Sequence, residues 1–151
     1  RCNGLSYVIF RPSNVYGKIS RIKDQGFIEV AVEKIMNGES IEIWGSGEQK
    51  RDYLHVSDVC YITSEIISRD IKNEIINLAS GQSFTLMGII KMLENIIDVK
   101  PSLIFREQRK SDVLDVHIDI THLLSIIDFQ PMELKKGIKE FYSSYKKLMN
   151  D

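Results

Sequence analysis

The feature that most restricts the fold is an alternation between short, β-prone apolar runs and longer segments whose apolar residues recur at helical spacing. Leu5-Ser-Tyr-Val-Ile-Phe10 reads as a buried strand ending at Arg11-Pro12, where proline interrupts ladder pairing. Helical spacing follows at Phe27, Val30, Ala31, Ile35 and Met36, and Asn37-Gly38 closes that segment. Ile41-Glu-Ile-Trp44 is a second strand, Gly45-Ser-Gly47 a forced turn, and Tyr53-Leu-His-Val56 a third extended piece. Ser57 or Asp58 then caps a helix that sends Val59, Ile62, Ile66 and Ile67 toward a core. Ile75-Ile-Asn-Leu-Ala79 is a strand, Thr85 caps a helix through Ile89, Ile90, Leu93 and Ile97, and Leu103-Ile-Phe105 is a last strand. Asp119 or Thr121 opens a brief helix with Leu123, Leu124 and Ile127, and Gln130-Pro131 separates it from a final helix over Leu134 to Leu148. Strands alternating with helices in this way predict an α/β fold.

Charge excludes some partners. Twenty Lys and Arg against 21 Asp and Glu give a formal charge of −1, which supplies no general field for nucleic acid or an anionic membrane. The basic stretch from Lys135 to Lys147 is interrupted by Leu134, Ile138, Phe141 and Tyr145 at helical spacing, so it reads as a solvated helix face. No apolar run is long enough for a membrane span. The two cysteines, Cys2 and Cys60, are far apart, so a reducing, cytoplasmic setting is expected, with Cys60 in the core. His55 lies in a strand with no cysteine, acidic array or second suitably spaced histidine beside it; it reads as structural, and no metal set is expected. Asp58 reads as a helix cap.

Three segments carry the chemistry. In Arg11-Pro-Ser-Asn-Val-Tyr-Gly17, the Asn14 amide can donate to one oxygen and accept from another group, or simply cap a turn. In Gly45-Ser-Gly-Glu-Gln-Lys-Arg-Asp-Tyr-Leu-His-Val56, Arg51 offers a fixed fork of donors suited to a pyrophosphate, or pairs with Asp52. In Arg106-Glu-Gln-Arg-Lys-Ser-Asp112, further cations stand beside an acid. Trp44 is a packing aromatic or part of a ligand wall, and Gly45 and Gly47 permit a turn without forming a dinucleotide loop.

In their order and spacing these segments, together with Asn77-Leu-Ala-Ser-Gly81, resemble the extended short-chain dehydrogenase/reductase family, in particular its NAD-dependent nucleotide-sugar epimerases and dehydratases of the UDP-glucose 4-epimerase-like kind. The resemblance implies the carboxyl-terminal part of such an enzyme: the last strands of a Rossmann-like parallel sheet plus a small α/β substrate-binding domain. Residues 1–17 and 56–80 would belong to the dinucleotide-binding fold, and 18–55 and 81–151 to the substrate domain. It further implies that Asn14, Arg51 and Arg109 contact the substrate diphosphate, that Asp112 binds ribose hydroxyls or braces an arginine, that Phe27 and Ile28 close over nucleotide and sugar, and that Tyr16 shapes the cofactor loop. Lys110 and Ser111 depart from the family's usual Arg-x-Gly-Asp, which leaves Arg106 as a further candidate.

The family's glycine-rich dinucleotide loop and its Tyr-x-x-x-Lys pair have no counterpart here. Tyr142 and Lys146 have the spacing but fall in the final helix and read as a packed and solvated face. The resemblance therefore implies that NAD is bound mainly by an amino-terminal part outside this chain and that the 151 residues alone are inactive. The whole enzyme would take an NDP-sugar, foremost a UDP-hexose, oxidise a sugar hydroxyl and reduce the keto-sugar on its other face, in carbohydrate metabolism such as polysaccharide biosynthesis, with a homodimer as its assembly. Alternatives are a dehydratase, decarboxylase or reductase of the same family, or a noncatalytic nucleotide-sugar binding or interaction module.

Overall fold

The structure, a computed structural model, describes residues 4–17, 26–109 and 113–150. The elements in chain order are β1 (Val8–Pro12), β2 (Asn14–Tyr16), α1 (Phe27–Asn37), β3 (Ile41–Trp44), β4 (Lys50–His55), α2 (Val56–Ser68), β5 (Glu74–Leu78), β6 (Ser83–Thr85), α3 (Leu86–Ile97), β7 (Leu103–Arg106), α4 (Thr121–Ile126) and α5 (Leu134–Asn150). The expected α/β alternation is present, and three of the four ladders are parallel: β1 with β5, β2 with β4, and β3 with β7. Among the described strands, only β6 runs antiparallel, along β4.

Two apolar cores organise these ladders. The first gathers Ile28, Ala31, Val32 and Ile35 of α1, Ile41 and Ile43 of β3, Ile89, Ile90, Leu93 and Ile97 of α3, and Leu134, Ile138 and Phe141 around α5, with Tyr16 and Tyr53 between them. Burying an Ile or Leu in this way stabilises by about 1.5–3 kcal/mol per side chain. The second core joins Ile62 and Ile66 of α2 with Ile76 and Leu78 of β5, Leu54, Leu123, Ile127 and Phe129. Val8 and Phe10 of β1 pack against it, whereas Ile9 and Ile75, opposite one another in the ladder, are 48% and 44% exposed. One face of the β1–β5 sheet is thus covered and the other is bare and apolar.

Helix ends follow local chemistry. Gly38 ends α1 in the left-handed region at φ 70, its N–H donating to the Ile35 carbonyl at 3.2 Å and the Glu39 N–H to the Lys34 carbonyl at 2.8 Å, as Asn37-Gly38 predicts. Thr85 caps α3 by accepting from Gly88 N at 2.9 Å, also as predicted. At α2 the expectation fails: His55 is the cap, its Nδ1 accepting from Ser57 N at 3.2 Å. Asp58 instead reaches across to the final segment and accepts from Met132 N at 3.0 Å. Cys60 and Ile67 are exposed on the outer side of α2, and Leu124 is exposed on α4, so none of the three is core.

Candidate functional site

β4 and the turn before it build the site. Gly45 and Gly47 take φ of 78 and 79, and a Cβ on Gly47 would lie 2.7 Å from Met87 Cγ, so the turn must be both left-handed and bare. It folds β3 back toward β4, placing Trp44 and Arg51 on the walls of one cleft of about 180 Å³. Phe27, Glu42, Gln49, Leu86 and Arg109 complete its lining. A second cleft of about 420 Å³, lined by Ser46, Lys50, Gln108, Leu114 and Asp115 among others, adjoins the first through shared Gln49.

Phe27, Arg51 and Arg109, three residues far apart in sequence, therefore meet in one cleft. The Arg109 guanidinium lies 3.8 Å from the Trp44 ring centroid, a cation–π contact that holds it flat against the indole. Trp44 is accordingly a half-buried cleft wall. Arg51 Nη1 donates to the Lys50 and Val113 carbonyls at 2.8 and 2.6 Å, fixing one arm of the guanidinium and leaving donors of the fork for a ligand. Its alternative partner, Asp52, is taken: Asp52 is wholly buried, and its carboxylate accepts from Ser80 N at 2.9 Å, Ser80 Oγ at 3.0 Å and Gln82 N at 3.1 Å. Glu42 is held by Arg106 at 2.8 Å, and this hydrogen bond with the Arg106 charge keeps its carboxyl below the usual range. The acid and Arg106 neutralise each other, so the remaining charge of the cleft is that of its two arginines, a setting for a diphosphate.

The other expected residues lie differently. Asn14 is exposed on β2, beside β4, and its Nδ2 donates to the Asp52 carbonyl at 2.8 Å. Ile28 is 0% exposed in the first core, so its side chain is a packing group and not a wall of the cleft; helical phase, which puts it a turn behind Val32, decides this. Tyr16 is also buried, its ring edge-on to Tyr53 and His55 and its hydroxyl donating to the Leu134 carbonyl at a long 3.5 Å. Burial, reinforced by the charges of Asp58, Glu140 and Glu29, holds the Tyr16 phenol well above its ordinary value. Asp112 falls outside the described residues. Tyr142 packs on the first core while Lys146 is exposed. Sequence reasoning missed Gln49, whose Nε2 donates to the Trp44 carbonyl at 2.9 Å, and Leu86; neither residue type carries a signal of its own.

A dinucleotide is normally cradled by a glycine-rich turn between a strand and the helix after it. The β4–α2 junction at His55-Val56 and the β6–α3 junction at Thr85-Leu86 carry no such turn, and Gly45 and Gly47 lie between two strands. These two described junctions therefore offer no glycine-rich cradle for that cofactor. Nor, among the described residues, do three or more His, Cys, Asp or Glu gather in a group able to hold a metal ion, and none of the helices is long and apolar enough to cross a membrane.

The model of the NAD dependent epimerase/dehydratase family matches residues 1–79. The chain belongs to this family. It is 30% identical over 140 residues to a putative UDP-glucose 4-epimerase of Methanocaldococcus jannaschii, covering 92% of this chain and 45% of that protein. It is 31% identical over 144 residues to a dTDP-4-dehydro-6-deoxyglucose reductase of Escherichia coli, covering 94% and 45%. Among solved structures, the UDP-glucose 4-epimerase of Thermotoga maritima with UDP-glucose superposes at a TM-score of 0.87 with 27% identity, over 97% of this chain and 48% of that one. The chain thus spans about half the length of the relatives it matches.

Proposed function

We propose that this member of the family is the carboxyl-terminal, NDP-sugar-binding part of an NAD-dependent nucleotide-sugar 4-epimerase, with a UDP-hexose as its substrate. The observation that carries the reading is the convergence of Arg51, Arg109, Phe27 and Trp44 on one cleft. Arg51, with one arm fixed to backbone carbonyls, and Arg109, held flat on Trp44, would clamp the diphosphate in a set geometry. Asn14 extends the same edge along β2, Phe27 and Trp44 supply the apolar wall for the nucleoside, and Asp112 would meet the ribose. Tyr16, braced in the core, fixes the strand end from which the cofactor side begins, so Gly17 and Asn14 keep their places.

The hydride chemistry would come from NAD held by a segment outside these 151 residues. Parallel sheets are covered on both faces, and the bare face carrying Ile9 and Ile75 supports the reading that further strands and a helical layer complete this sheet in the working enzyme. A homodimer and a cytoplasmic setting belong to the same proposal. The similarity to a sugar reductase, as close in identity as that to the epimerase, favours a second reading in which the same cleft serves a reductase.

The test is titration of the chain with UDP-glucose. Saturable binding is expected, and Arg51→Ala or Arg109→Ala should weaken it roughly 10- to 150-fold, the loss of about 1.5–3 kcal/mol for a charged hydrogen bond. Unchanged affinity in both variants would refute the clamp. Conversion of UDP-galactose to UDP-glucose by the 151 residues alone would refute the division of labour, and the products of the complete enzyme separate epimerase from reductase.

A further inference from the structure

A half-buried acid away from the arginine cleft, Glu29, with one carboxylate oxygen fully buried, has no role in the clamp just described. Glu29 is the third residue of α1, a helix whose N-cap, Gly26, makes no side-chain capping bond. Its carboxylate folds back over that cap: a Cβ on Gly26, which sits at φ 79, would lie 2.3 Å from Glu29 Oε2. The other oxygen, Oε1, accepts from Gly17 N at 2.9 Å. Gly17, just past β2, is itself confined, since a Cβ there would meet His55 Nε2 at 2.3 Å. Glu29 Oε2 is buried without a hydrogen-bond partner among the described residues. Burial pushes the carboxyl up from its ordinary value, and backbone N–H groups of Gly17 and of Glu29 itself pull it the other way. A group kept buried at such cost is expected to return something through geometry.

We propose that Glu29 is a positioning residue for the cleft, clasping the end of β2 to the start of α1 and so fixing Asn14 and Phe27 relative to each other. Asn14 is three residues before Gly17, and Phe27 stands between Gly26 and Glu29, so one carboxylate ties the strand end bearing the first to the helix turn bearing the second. The His55 ring packs close against Gly17 and is itself fixed by Ser57, so the strand end that Glu29 holds has little room to shift. Glutamine retains an acceptor for the Gly17 amide, alanine does not, and aspartate falls one methylene short.

The inference rests on the cleft being the ligand site, and its test separates the two. Hydrogen exchange at the Gly17 amide and the emission of Trp44, the single tryptophan, report the clasp and the cleft without ligand; titration with UDP-glucose reports binding. Glu29→Ala should speed Gly17 exchange and weaken UDP-glucose binding, each roughly tenfold, and shift Trp44 emission, as loss of one charge-assisted hydrogen bond predicts. Glu29→Gln should restore all three to near wild type. If Glu29→Ala leaves both exchange and emission unchanged, the clasp is wrong; if exchange quickens while emission and affinity stay at the wild-type values, it does not position the cleft. Failure of the wild type to bind UDP-glucose would instead sink the functional reading, with exchange and emission still judging the clasp. Should Glu29→Ala not fold, Glu29→Asp is read in the same way.

Discussion

Replacing Asp52 tests the link between the arginine-bearing strand and the turn after β5. The carboxylate is wholly buried and serves three donors, two of them the backbone N–H groups of Ser80 and Gln82, the second of which it shares with Ser80 Oγ. Asp52→Ala leaves the Ser80 amide without a partner and the Gln82 amide with only its 3.1 Å bond to Ser80 Oγ, at about 1–3 kcal/mol for the first and less for the second, so a loss of about 3 kcal/mol is expected. That is a large share of the roughly 5–15 kcal/mol by which a domain is stable. At about 2–4 °C per kcal/mol for a chain of this size, the melting temperature should fall by roughly 6–12 °C. Asp52→Asn retains one acceptor oxygen but turns its amide N–H toward a donor, so about half that loss is expected. Urea unfolding followed by circular dichroism gives the numbers, the midpoint falling with little change of slope. Unfolding free energies of both variants within about 0.5 kcal/mol of wild type, the range of an ordinary surface change, would refute the assignment of Asp52 as the tie.

Other perturbations have distinct signatures. Gly137→Ala places a Cβ 2.1 Å from the Tyr16 hydroxyl and should cost about 1–3 kcal/mol of overpacking, with Tyr16→Phe in the same chain recovering part of it in thermal melts. Thr85→Ala removes the α3 cap and should cost about 1 kcal/mol in denaturant unfolding. Burial raises the Asp58 carboxyl against the opposing pull of the Met132 N–H and of His55. Its contribution is therefore fully present below the unfolded value and is lost as pH rises through the folded one. Asp58→Asn should gain stability relative to wild type toward pH 7 and lose that gain on acidification below pH 4; an advantage that grows in acid would reverse the sign.

The sequence was most legible where a residue's type and its neighbours impose one conformation. Gly38 after Asn37 and Thr85 before an apolar helix leave little choice, and both ends form as expected. Arg51 is readable as a fork of donors after a glycine-bearing turn, and the family resemblance pairs it with Arg109, yet their meeting depends on β3 pairing with β7, which spacing alone does not reveal. β2 and β6 have three residues each, too few for a period, and exist because β4 offers them its two edges. His55 displaced Ser57 and Asp58 as the α2 cap because imidazole Nδ1 can act as the acceptor a hydroxyl usually provides, while Asp58 was drawn off by Met132 N. Ile28 and Phe27 looked alike in sequence; helix phase separated them, one into the core and one onto the cleft.

The strand pairings carry a consequence for how the chain comes to be folded. Every ladder skips at least one intervening strand, so that Val8 lies beside Glu74, Asn14 beside Tyr53, Ile41 beside Leu103 and Lys50 beside Thr85. There is no hairpin among the described strands from which pairing could spread locally, and each closure must first bring together distant stretches of chain at an entropic cost. During synthesis β3 has no mate until β7 has left the ribosome, and β1 waits for β5. Refolding should accordingly be slow for a chain of this length, and a nascent chain stopped before Leu103 would present the Ile41–Trp44 strand as an open edge.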